Sequence, residues 1–155
     1  MRHALSAIVL LAFLLPSAYA SQESYDLCSD KPSNVEITAC YEKEQVRVNA
    51  QADTVARKIA RKWRQDAAKY LKDDPAGTTT SKLMRKTASA VLLSQRTWKE
   101  YRNQHCKAVS LSYTTGSGNG AGYEACMYEL GVLRVQQLQR DFVDAVAVLP
   151  DEPTH

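Results

Sequence analysis

The sequence predicts an all-α protein: a three-helix up-down-up antiparallel bundle stapled by two disulfides. Three observations carry this expectation. Apolar residues recur at steps of three, four and seven over long stretches, the spacing that gathers them on one face of a helix. Clusters of proline or glycine break that pattern at two internal places, residues 73–77 and 116–122, leaving three long segments joined by short connections. Four cysteines bracket expected turns, and no run shows the two-residue alternation of a strand.

The first twenty residues stand apart. Arg2 and His3 make a positive start, residues 4–15 an apolar run, and Ala18-Tyr19-Ala20 a small-x-small cleavage site, the pattern of an export signal. The apolar run is about 12 residues, short of the roughly 20 that cross a bilayer. The expected organisation is a signal peptide at 1–20, one helical domain at 21–150 and a disordered tail at 151–155. The mature chain is then periplasmic or secreted, with no stable membrane insertion after cleavage. Loss of Arg2 leaves 19 Lys and Arg against 17 Asp and Glu. That mild excess implies no nucleic-acid partner.

An even number of cysteines in an exported chain reads as disulfides. Cys28, Cys40, Cys106 and Cys126 allow three pairings. The local one, Cys28–Cys40 with Cys106–Cys126, is preferred because each pair brackets a turn. The chain-entropy view gives each such loop about 3 kcal/mol.

The first helix begins after Pro32, with Ser33 or Asn34 as its cap and Glu36 in its first turn. Ile37, Tyr41, Val48, Ala52, Val55, Ile59, Trp63, Ala67 and Tyr70 then hold one face over roughly 35 residues. Asp73-Asp74-Pro75-Ala76-Gly77 stops it. Thr78 to Thr80 cap the second helix, which passes Leu83, Val91, Trp98 and Tyr101 and ends at Cys106 or a turn beyond. Four glycines in residues 116–122 suggest a floppy loop. The third helix starts near Tyr123, carries Leu130, Leu133, Leu138, Phe142, Ala145 and Leu149, and stops at Pro150.

Catalytic chemistry is missing from the sequence. There is no GxSxG, no HExxH and no glycine loop followed by Lys-Ser or Lys-Thr. No CxxC occurs, and His105 is the one histidine away from the ends, so neither metal nor cofactor is expected. The chain is not expected to be an enzyme. Two candidate binding surfaces remain. Tyr113, Ser117, Asn119 and Tyr123 lie in or beside the glycine loop, and tyrosines around small polar residues have the composition of a recognition surface. Arg57, Lys58, Arg61 and Lys62 form a basic face on the first helix. Their like-charge pairs at i,i+4 each cost a few tenths of a kcal/mol. Trp98 and Tyr101, three apart, read as core.

The stretch SQRTWKEYRNQHC resembles the AQRxWxxYRDxxC pattern of the lysozyme inhibitor LprI family's N-terminal domain. Ser94, Gln95, Arg96, Trp98, Tyr101, Arg102 and Cys106 fall on it, with Asn103 where an acid is usual. Gly116, Ser117, Tyr123 and Cys126 fit the second half of the pattern, and Cys28, Glu36, Cys40 and Ala52-Asp53 fit the first half loosely. The chain departs where Leu-Asn should follow Ala-Asp, and at Gly118-Asn119-Gly120, where the family is more apolar. The resemblance implies an exported inhibitor of a lysozyme-type, peptidoglycan-cleaving enzyme, with that hydrolase as protein partner. The expected mechanism is steric occlusion by the loop between the second and third helices. A mature charge near +2 would give no steering toward a basic lysozyme. The alternative is a non-inhibitory periplasmic binding or scaffold module that uses the basic face.

Overall fold

The computed structural model describes residues 27–113, 116 and 118–147. The expected signal peptide, Ser117 and the tail lie outside the described residues. Helix α1 spans Asn34–Asp73, α2 Thr78–Ser112, α3 Asn119–Asp141, and a short α4 spans Val143–Ala147. The described residues contain no strand. Helix α1 is the spine of the bundle and touches each of the other three.

Side-chain pairings give the directions. Gln95 and Lys99 reach Asp53, and Ser81 Oγ donates to the Ala67 carbonyl at 3.0 Å, so α1 and α2 are antiparallel. Gly131 meets Val48, and Leu138 shares a buried cluster with Val55 and Ile59, so α1 and α3 run parallel. The result is the expected up-down-up bundle. It also holds the expected disulfides, Cys28–Cys40 with Cα atoms 6.0 Å apart and Cys106–Cys126 with Cα atoms 5.5 Å apart.

Ser33 is the cap of α1. Its Oγ accepts from the Glu36 backbone N–H at 3.3 Å and donates to the Glu36 carboxylate at 2.7 Å, satisfying an otherwise orphaned donor. At the other end Gly77 N–H closes on the Asp74 carbonyl at 2.9 Å. A Cβ on Gly77 would stand 2.2 Å from the Tyr70 ring, so this turn needs a glycine for space.

Helix α2 takes Gly77 as its N-cap with no side-chain cap bond, instead of a cap from Thr78 to Thr80, and it runs on to Ser112. Both ends of α3 also differ from the sequence expectation. Helix α3 begins at Asn119, four residues before Tyr123, so Gly120 and Gly122 are helical. The reason is packing. A Cβ on Gly122 would come within 2.6 Å of the Tyr113 ring, and one on Gly120 would sit 3.4 Å from Thr38. Gly122 lets the first turn of α3 approach Tyr113, and that contact holds it in a helix, whereas the Gly120 position has ordinary van der Waals room. At its other end α3 stops at Phe142 (φ −131°, ψ 38°) instead of running on to Pro150. The bend lets α4 fold onto α1, where Ala145 joins Val55, Ile59 and Leu138, with Trp63, Phe142 and Val146 packed around them.

Candidate functional site

The two disulfides act at the same end of the bundle. Cys28–Cys40 ties the leading segment onto α1, and Cys106–Cys126 ties the last turns of α2 to the first turns of α3. Between them lies a cleft of about 380 Å³. Ile37, Tyr41, Val109, Ala121 and Ala125 line it with apolar surface, and Tyr113 stands at its edge. Ser29, Asn34 and Glu129 supply polar groups. Small residues on α3 (Ala121, Gly122, Ala125) and at its N-cap (Gly118) leave the room that makes it a cleft.

The four loop residues do not share one role. Tyr113 rests on Gly122 and is still 45% exposed, which leaves ring surface for a partner. Asn119 is committed internally, because its side-chain and backbone carbonyls both accept from Ser110 Oγ. Tyr123 is half-buried against Cys106, Cys126 and Met127. Ser117 lies outside the described residues. Glu124, beside them, has a buried Oε2 with no hydrogen-bond partner among the described residues. Burial, helped by the Glu42 carboxylate, raises its pKa above the usual value, because both disfavour the charged form.

Further along the bundle a polar layer joins the three long helices. Gln95 Nε2 donates to Asp53 at 2.9 Å, and Lys99 Nζ donates to the other oxygen of that carboxylate, also at 2.9 Å. Gln95 Oε1 accepts from Arg134 Nε at 2.9 Å. Arg134 donates further to Ser94 at 2.8 Å and to Gln137 at 2.7 Å. Its guanidinium lies 5.7 Å from the Trp98 ring centroid, and that of Arg102 lies 5.1 Å away. Both guanidiniums are buried, and desolvation lowers both pKa values while leaving them cationic. At Asp53 partial burial works toward a higher pKa. The bonds from Gln95 and Lys99, with the charges of Lys99 and Arg57, outweigh it and hold the carboxyl below its usual value.

The sequence did not mark this layer as a unit. Its signal was the placement of Gln95 and Arg102 at core register, four residues beyond Val91 and four before Cys106. Trp98 is half-buried in the layer as expected of a core residue, whereas Tyr101 is 56% exposed and stacks on His105 with centroids 5.5 Å apart.

The four basic-face residues divide around α1. Arg57 and Arg61 line a groove with Arg64, Ala60, Ala68 and Leu92 of α2. Lys58 and Lys62 stand one residue on, about 100° further round the helix. Lys62 pairs with Asp66 at 2.5 Å. Among the described residues no group of three or more His, Cys, Asp or Glu side chains is placed to hold a metal ion, and no helix is long and apolar enough to cross a membrane.

Residues 28–138 match the family of lysozyme inhibitor LprI. The chain belongs to that family. No curated protein and no solved structure matches it. The LprI match begins at Cys28 and ends at Leu138, so it takes in both disulfides and the whole polar layer. The layer also explains the signature stretch. Ser94, Gln95 and Trp98 meet Arg134 of α3, Cys106 is bonded to Cys126, and Arg102 is buried against Trp98, so the LprI pattern in α2 is chiefly a fold signature. Asn103 replaces the usual acid, and its Oδ1 accepts from Arg102 at 3.1 and 2.7 Å.

Proposed function

We propose that this chain is an exported inhibitor that occludes the substrate cleft of a lysozyme-type, peptidoglycan-cleaving enzyme with the disulfide-bound end of its bundle. The observation that carries the reading is the small cleft with a half-exposed tyrosine at its edge, fixed from both sides by disulfides. A partner docking there meets a surface already ordered, so little conformational entropy is lost on binding. Tyr113 is the aromatic group poised to stack where a sugar ring would otherwise lie, and it is held in place by Gly122. The cleft beside it receives a side chain of the enzyme. The connection through residues 114–117 contributes hydrogen bonds from its hydroxyl groups, Ser117 included. No proton transfer or covalent step is needed; the inhibitor works by filling space.

The test is turbidity clearing of peptidoglycan by a panel of lysozyme types, with the purified mature protein added. Inhibition of at least one lysozyme is expected. Tyr113→Ala should weaken it by about ten-fold or more, the scale of an aromatic anchor at an interface. Cys126→Ser should weaken inhibition more than it lowers helix content. Failure to inhibit any member of the panel at micromolar concentration defeats the reading.

The groove at Arg57 and Arg61 supports a second reading, a non-inhibitory exported binding module acting through this basic face. Hydrogen exchange separates the two. Protection of residues 57–72 by a protein partner in the absence of lipid, with the disulfide end exchanging freely, favours the module over the inhibitor.

A further inference from the structure

The hairpin made by the second half of α1 and the first half of α2 concentrates positive charge. Residues 57–99 hold twelve Lys and Arg against three Asp and Glu. No carboxylate occurs in α2 from residue 78 to residue 99. On α1 the exposed Arg57, Arg61 and Arg64 edge the groove that Leu92 closes from α2. On α2, Arg85 and Arg96 stand seven before and four after Leu92, which keeps them on the same stripe of the helix. Lys82, Lys86 and Leu93 follow the same spacing one stripe further from the core, and Leu93 is 59% exposed.

Helix stability does not account for this arrangement. Arg57/Arg61 and Lys82/Lys86 are like-charge i,i+4 pairs and mildly unfavourable. Asp66, the one carboxylate between residues 57 and 72, is taken by Lys62. A soluble polyanion would be met by cations alone. A leucine standing among cations on an outward helix face has the composition of an interfacial helix, where Lys and Arg reach phosphates and the apolar side chain enters the acyl boundary.

We propose that this face of the α1–α2 hairpin docks the protein peripherally on an anionic phospholipid bilayer. The disulfide-bound cleft lies at the other end of the bundle, so docking leaves it directed away from the lipid. The attachment is reversible, because it relies on headgroup charge and one or two partly inserted leucines.

Co-sedimentation of the purified mature protein with vesicles tests this without any enzyme. Vesicles of phosphatidylcholine containing phosphatidylglycerol should pull the protein down, and vesicles of phosphatidylcholine alone should not. Added salt should release it. Replacing Arg61, Arg64 and Arg85 together by Gln should lower the partition coefficient on the order of a hundred-fold, at about five-fold per charge. Leu93→Ser should lower it by about ten-fold while leaving binding to soluble polyphosphate unchanged. All four positions are exposed, so circular dichroism should show the parent helix content. Equal sedimentation with both vesicle types overturns the proposal. So does an unchanged Leu93→Ser variant, or a protein that prefers polyphosphate or an acidic protein when vesicles are also present.

Discussion

Gln95 shows how one side chain can set a whole interface. It gives its N–H to Asp53 on α1 and its carbonyl to Arg134 on α3, and it is itself buried on α2. Each partner is charged, and hydrogen bonds to charged groups contribute about 1.5–3 kcal/mol each. Replacing Gln95 by Leu keeps the volume close but strips a donor from Asp53 and an acceptor from Arg134. We expect Gln95→Leu to cost about 3 kcal/mol in urea unfolding with disulfides intact. The Asp53 contribution has a definite pH dependence. Its folded pKa is depressed, so its stabilisation is full above the unfolded carboxylate pKa and is lost as pH falls through the folded value. The Gln95→Leu deficit should therefore shrink on acidification. A deficit independent of pH would mean that the glutamine acts by packing alone. Arg102 differs in kind. Its Nη1 has no partner among the described residues, so its burial is offset mainly by Trp98 and Asn103.

At the scale of elements, the long helices were legible and their ends were less so. Apolar periodicity needs many residues to declare itself, and α1 and α2 have 40 and 35. The start of α3 is hidden in the sequence because four glycines suggest flexibility, when Gly122 in fact marks close approach. Nothing local in the sequence says that Tyr113 will lie on Gly122. The same applies to Gly131, in the middle of α3. A Cβ there would stand 2.6 Å from Val48 Cγ1 and 2.9 Å from Asn49 Oδ1, so α1 and α3 cross where glycine permits. Gly131→Ala should destabilise by about 1–3 kcal/mol, the usual range for overpacking. Gly120→Ala meets only Thr38 at 3.4 Å and gains helix propensity, so it should be neutral or stabilise by up to about 1 kcal/mol. Thermal unfolding of both variants checks the contrast. Equal effects would mean that the two glycines share a common backbone role. The candidate site was legible in the same uneven way. Tyr113 could be named from composition, but its cleft partners Ile37 and Tyr41 come from a helix more than seventy residues away in sequence and left no local sign.

For the whole molecule, net charge conceals a separation. Residues 57–99 carry twelve of the cations, while the remaining described segments, 27–56 and 100–147, carry seven cations against ten carboxylates. Glu129 lines the cleft, and the Glu42 carboxylate is close enough to disfavour ionisation of Glu124. Under the inhibitory reading an approaching cationic enzyme would sense two different ends, and the net charge of +3 is a poor guide to steering. Orientation follows from the same asymmetry: the cationic hairpin repels such an enzyme and the disulfide end attracts it. If the inhibitory reading holds, the association rate with a basic lysozyme should fall as salt rises, by about ten-fold between 0.01 and 0.15 M as the screening length shrinks from about 30 to about 8 Å. Glu129→Gln should lower that rate at low salt and leave the dissociation rate nearly unchanged, because a rim charge acts on encounter. Arg61→Gln, on the opposite end, should raise it slightly or leave it alone. Stopped-flow fluorescence can follow the encounter through the tryptophans of either protein. An association rate that rises with salt would show that the cationic hairpin dominates the field felt by the enzyme, and that the cleft is not where the two proteins first meet.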